Sequence, residues 1–129
     1  MRLAYASLIA DDIAGLCAFY TAVLERPEVE SHRTPIYRAI ELDDGVVLAF
    51  SATEVYALLG MSGWAGGSGA SSFLTFGVDD VDAVDQATAR ALEHGATLLH
   101  AAYRTTYGSY QAVLADPGGN VFRFDTRLT

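Results

Sequence analysis

The chain has a single cysteine, Cys17. It cannot form an internal disulfide and offers no CxxC pair for a zinc site. Lying in a helical pattern, Cys17 is expected as an ordinary buried residue rather than a reactive thiol. Long hydrophobic runs are also missing. Nothing approaches the ~20 apolar residues of a membrane-spanning helix. The opening "MRLAYASLIADD" lacks the long apolar stretch with basic flanks of a secretory signal, so the cytoplasm is the expected location. Positive charge is scarce: 8 basic residues stand against 16 acidic ones, a net charge of −8. Duplex nucleic acid and membrane surfaces would repel such a chain, whereas a small cation would be attracted. Motifs of covalent and phosphate chemistry are absent too: no nucleophile elbow, no HExxH and no phosphate loop. The run "GWAGGSG" at 63–69 is glycine-rich, but it neither follows a strand nor opens a helix, so it reads as a linker.

What is present points to one compact domain. The 129 residues are 51% hydrophobic and 19% charged, too apolar for a disordered chain. Residues 3–9 form an apolar run consistent with a buried strand. Ile13, Leu16, Tyr20 and Val23 then recur at helical spacing behind Asp11 and Asp12, one of which can cap the helix, and Pro27 stops it. Residues 28–33, 36–42 and 46–50 read as three strands, the last two joined at Asp44-Gly45. A short helix is expected at 53–59, ended by Gly60. The pattern then restarts with a strand from Phe73 to Val78 and a helix whose face carries Val81, Val84, Thr88 and Leu92. Gly95 follows at its end, and strands are expected at 97–105, 108–115 and 120–126.

The restart is an internal repeat. "ADDIAGL" at 10–16 matches "VDDVDAV" at 78–84, an offset of 68 residues. "YRAIELDDGVVLAF" at 37–50 matches "YQAVLADPGGNVFRF" at 110–124 with one extra residue in the turn, which sets Tyr37 against Tyr110 and Ala49 against Arg123. Each half reads as βαβββ: a first module at 1–52, a short helix and Gly/Ser-rich linker at 53–71, and a second module at 72–129. One helix covers only one face of each sheet. The expected architecture is therefore α+β, two tandem modules forming a curved mixed sheet around a central hollow, with helices outside.

Strand alternation assigns the hollow-facing residues. Phe122 and Phe124 should face the helix layer, and Val121, Arg123 and Asp125 the hollow. The same period brings Tyr5, Ser7, Tyr37, Glu41, Ser51, Phe73, Thr75 and Tyr110 to that side, with Trp64 at its rim. An aromatic surface with a few polar groups is the usual make-up of a small-molecule site. Alternatively the aromatics fill the hollow and Arg123 pairs with Glu41 or Asp125. The candidate ligand-binding set is Tyr5, Ser7, Tyr37, Glu41, Trp64, Phe73, Tyr110 and Arg123. His32 and His100 fall at equivalent places on outer strands, and His94 closes a helix; none has a partner that suggests catalysis.

The segments "SLIADDIAGLCAFYTAVL" (7–24), "FGVDDVDA" (76–83) and "LADPGGNVFRF" (114–124), with the duplication, resemble the vicinal oxygen chelate superfamily. This group includes glyoxalases, extradiol dioxygenases, fosfomycin-resistance enzymes and bleomycin-binding proteins. The resemblance covers essentially the whole chain. It implies a divalent metal held by His, Glu or Gln at four strand positions, which here carry Tyr5, Ala49, Phe73 and Arg123. Ala and Phe have no donor atom, Arg has only N–H donors, and neutral Tyr is a weak ligand. No metal, no other cofactor and no catalytic residue are expected. The resemblance points instead to the bleomycin-binding branch: a homodimer sequestering a small aromatic or cationic molecule, an antibiotic-resistance role without turnover. Two alternatives stand beside it. One is a lyase or dioxygenase of glyoxalase type using displaced ligands such as Glu41, Asp125 and a histidine. The other is a structural dimer that binds nothing.

Overall fold

The computed structural model describes every residue from Met1 to Thr129 except Ser68 and Ser71. Within the expected linker, those two serines lie outside the described residues. The chain divides into two compact units, Met1–Gly69 and Ala70–Thr129. Both are α+β, one with three strands and the other with four.

The first unit runs β1 (Tyr5–Ile9), α1 (Ile13–Leu24), β2 (Tyr37–Glu41), β3 (Val47–Ser51) and α2 (Val55–Leu58). Its sheet order is β1-β3-β2, with β1 parallel and β2 antiparallel to β3. Asp12 caps α1 by accepting from the Gly15 N–H at 2.9 Å, satisfying one of the orphan donors of the first turn. Ile13, Leu16, Cys17, Phe19, Tyr20 and Val23 are buried. Tyr20 stacks on Phe50 of β3 with ring centroids 5.5 Å apart. Between β2 and β3, Gly45 takes φ +78°, the left-handed conformation that a tight turn requires.

Residues 28–33 do not form the expected strand. A lone bridge joins Glu28 to Ile40, and Glu30–His32 is a short 3-10 turn, so His32 is not on a strand. The cause is electrostatic. The Arg33 guanidinium grips the Glu28 carboxylate with two hydrogen bonds, at 2.8 and 2.9 Å. An extended segment would hold residues five apart at about 16 Å, too far for that grip. The segment folds back instead, and the first unit has three strands.

The second unit runs β4 (Leu74–Gly77), α3 (Val81–Glu93), β5 (Thr97–Arg104), β6 (Ser109–Ala115) and β7 (Val121–Arg127). Its sheet order is β4-β7-β6-β5, with β4 parallel to β7 and the rest antiparallel. Asp80 caps α3 by accepting from the Ala83 N–H at 2.8 Å. The buried stripe of α3 is Val84, Ala87 and Ala91, whereas Leu92, expected on it, is exposed. Small alanines let α3 lie close to Phe122, Phe124, Ala112 and Leu114, all fully or nearly fully buried.

The β6–β7 turn is organised by one carboxylate. Asp116 Oδ1 accepts from the backbone N–H groups of Gly118 and Asn120, both at 2.9 Å, and from the Asn120 side-chain amide at 3.2 Å. This fixes the hairpin register, so Ala115 pairs with Val121, Val113 with Arg123 and Gln111 with Asp125.

Candidate functional site

Facing residues of neighbouring strands point to one side of the sheet. In the first unit, β1 contributes Tyr5 and Ser7 to the face away from α1, β3 contributes Val47, Ala49 and Ser51, and β2 contributes Tyr37, Ala39 and Glu41. Tyr5 is 58% exposed and Ser7 is exposed, whereas Ala39 and Ala49 are fully buried. Burial, with a smaller contribution from Tyr5, pushes the Tyr37 phenol above its ordinary pKa. Glu41 is exposed, and its backbone carbonyl accepts two hydrogen bonds from Arg26. Trp64, in a 3-10 turn at Ser62–Trp64, is 79% exposed.

In the second unit Phe122 and Phe124 turn towards α3, and Arg123 projects from the opposite face. Arg123 is half-buried and surrounded by neutral groups. Its Nε donates to Thr75 Oγ1 at 2.7 Å, and its Nη1 donates to Gln111 Oε1 at 3.0 Å and, more weakly, to the Tyr107 hydroxyl at 3.4 Å. Its carbon Cζ lies 5.1 Å from the centroid of the Phe73 ring, a cation–π contact. Arg123 takes part in no ion pair with any described residue of its own unit, so the expected alternative of pairing with Asp125 does not form. Asp125 accepts instead, at a long 3.5 Å, from the Ser109 hydroxyl.

The network continues outward. Gln111 is 3% exposed, and its amide is oriented by both neighbours: Oε1 faces Arg123 while Nε2 donates to the Tyr103 hydroxyl at 2.9 Å. The Tyr103 ring packs on His100 with centroids 3.9 Å apart. Two register shifts in β5 make this possible. Strict alternation would send residues three apart to opposite faces, but the irregularities place His100 beside Val113 and Tyr103 beside Gln111.

Tyr110 is a correction. It was expected on the side of Arg123, yet it pairs with Thr126 on the helix side and donates to Asp85 of α3 at 2.7 Å. That hydrogen bond is the leading cause of its raised pKa. The repeat match set Tyr110 against Tyr37 by allowing an extra residue in the second turn, but both turns hold five residues between their closing pairs, Glu41–Val47 and Ala115–Val121. The counterpart of Tyr37 is therefore Gln111. With a period of two, a match slipped by one residue assigns the wrong face. Gln111, Thr75, Tyr103 and Tyr107 were missing from the candidate set. Counting back from the Asp116 turn would have found Gln111, but no pattern in the residues announces the irregularities that deliver Tyr103.

The residues do not suit a metal. The positions that the resemblance assigns to metal ligands carry Tyr5 and Ala49 in the first unit and Phe73 and Arg123 in the second, the latter already spending N–H groups on Thr75 and Gln111. Among the described residues no three His, Cys, Asp or Glu side chains gather to hold an ion, the displaced set of Glu41, Asp125 and a histidine included. Near Arg123 the sheet is unfilled: a Cβ on Gly77, which faces Asp125 two places beyond Thr75, would meet no atom within 4 Å.

Residues 6–124 match the family model for a glyoxalase-like domain. The fold agrees with a crystal structure of a glyoxalase/bleomycin resistance protein/dioxygenase family enzyme from Burkholderia phytofirmans PsJN: TM-score 0.93, 39% identity, 99% of this chain and 100% of that one. A glyoxalase-related enzyme from Fulvimarina pelagi gives TM-score 0.85 at 21% identity, covering 98% and 88% of the two chains. Lactoylglutathione lyase from Agrobacterium tumefaciens gives 0.73 at 22% identity, covering 97% and 92%. The last two are similar in fold alone. No curated protein matches significantly. The chain belongs to the glyoxalase-like domain family, within the vicinal oxygen chelate superfamily.

Proposed function

We propose that the protein is a metal-free small-molecule binding domain, similar in role to the sequestering, bleomycin-binding branch of its superfamily. One observation carries the reading: where the enzymes of the superfamily keep a metal-binding side chain on their last strand, this chain keeps Arg123, held by Thr75 and Gln111 and flanked by exposed Phe73 and Tyr107. A guanidinium supplies positive charge and directed hydrogen bonds but cannot chelate two oxygens of a substrate as a Lewis acid. Exposed rings beside it favour an aromatic ligand, captured by stacking and released unchanged. The catalytic alternative needs a cluster of ligands, and among the described residues no three His, Cys, Asp or Glu side chains form one.

The test combines elemental analysis of protein purified without a histidine tag and thermal melting with a panel of aromatic compounds. Substoichiometric metal, a raised melting temperature with some panel members, and recovery of those compounds unaltered are expected. One equivalent of tightly held transition metal, or turnover of a bound compound, overturns the reading.

A further inference from the structure

We propose that Arg123 and its neighbours form an anion-binding platform, and that the ligand is a small aromatic or apolar molecule carrying a carboxylate or comparable anionic group. The inference deepens the metal-free binding reading and rests on it.

A guanidinium only donates, so every group that touches Arg123 must accept from it. Thr75 Oγ1 accepts from Nε, and Gln111 Oε1 and the Tyr107 hydroxyl accept from Nη1. Tyr103 in turn accepts from Gln111 Nε2. The acceptor side of each group is engaged inward, so the hydroxyl protons of Thr75, Tyr107 and Tyr103 remain to be donated elsewhere. Arg123 Nη2 adds two more donors; it bonds to no described residue and is not buried. The result is a surface rich in donors, bearing a positive charge that makes no ion pair with a described carboxylate of its unit, Asp125 two residues along the same face included. An anion is the partner that answers all of these at once. The exposed faces of Phe73 and Tyr107, 57% and 55% exposed, supply the seat for an apolar body.

Net charge argues the other way, and distance decides between them. The −8 of the whole chain favours a cation at long range. At physiological salt, however, charges further than about 8 Å are largely screened. A ligand in hydrogen-bond contact with Nη2 is dominated by the guanidinium. The acidic surface slows the approach of an anion more than it weakens the complex.

Calorimetric titration of the full chain at pH 7 with benzoate, benzamide and benzamidine reads the charge preference directly. Benzoate is expected to bind most tightly and the cationic benzamidine most weakly. Arg123→Gln should weaken benzoate by about tenfold or more and leave benzamide within about twofold. Arg123→Lys, which keeps the charge and loses the fork, should fall between wild type and Arg123→Gln. Benzamide or benzamidine binding as tightly as benzoate overturns the proposal, and the ranking needs no variant to fold. Unchanged benzoate affinity in Arg123→Gln, or no benzoate binding at millimolar concentration, also overturns it. The broader reading fails separately, to bound metal or turnover, and survives if only the neutral or cationic probe binds.

Discussion

Replacing Glu28 by glutamine is expected to cost about 2 kcal/mol at pH 7. Glu28 is only 11% exposed and accepts from Arg33 at 2.8 and 2.9 Å and from Arg38 at 3.4 Å. Arg33 is 42% exposed and can regain water, so its share is minor. Arg38 is 25% exposed, and its Nε is buried without a partner. Removing its counter-charge therefore dominates, at ~1–2 kcal/mol, well short of the ~3–5 kcal/mol for a fully buried pair. The melting temperature should fall by about 6–10 °C. The pH dependence is the sharper check. Arg33, chiefly by hydrogen bonding, holds the Glu28 carboxyl below its ordinary pKa. A depressed pKa contributes stability above the unfolded value of about 4.3 and loses it as pH falls through the lower folded value. Urea unfolding of both proteins at pH 7, 5 and 3 should show the gap intact at pH 7 and 5 and much reduced at pH 3. Equal midpoints at pH 7, or an undiminished gap at pH 3, would refute the electrostatic account of this segment.

Other perturbations have definite expected outcomes. Asp116→Ala removes three accepted hydrogen bonds from the turn that registers Arg123 against Val113, and should cost about 2–3 kcal/mol by chemical denaturation. Asp12→Ala and Asp80→Ala each delete a helix cap and should cost about 1 kcal/mol apiece in the same assay. Cys17, whose thiol is pushed up to about 12 by burial first and the Glu28 carboxylate second, should resist a thiol-titrating reagent at pH 8 in the native protein and react fully in urea. Phe122→Ala, in the fully buried layer beneath α3, should cost about 3–5 kcal/mol and lower benzoate affinity only in proportion to unfolded protein.

Much of this architecture was readable where local chemistry and tertiary demand agree. Aspartates at 12 and 80 precede apolar residues at helical spacing, and both cap helices. Gly45 and Gly95 stand where left-handed backbone is required and adopt it. Arg123 could be assigned to the face opposite Phe122 and Phe124 because alternation is strict in β7. The failures come from interactions that pattern does not encode. A carboxylate reaching an arginine five residues on folded a strand-like segment into a turn. Matching the two halves on their tyrosines slipped the register by one residue, and Tyr110 lies in the helix layer. Irregular pairing in β5 brought His100 and Tyr103 together. Leu92 was counted into a buried stripe that alanines fill. Alternation also set Phe73 on the side of Arg123, where its ring lies; the neutral hydrogen-bonding partners of the guanidinium became evident only from strand register.

The unoccupied space above Gly77 has a consequence for how such a protein could diversify. Because that residue neighbours Thr75 and faces Asp125 with no atom to displace, a new side chain there would reshape the surroundings of the guanidinium while every strand stays where it is. The chemistry of the surface beside Arg123 could therefore change through a single codon, decoupled from the demands of folding.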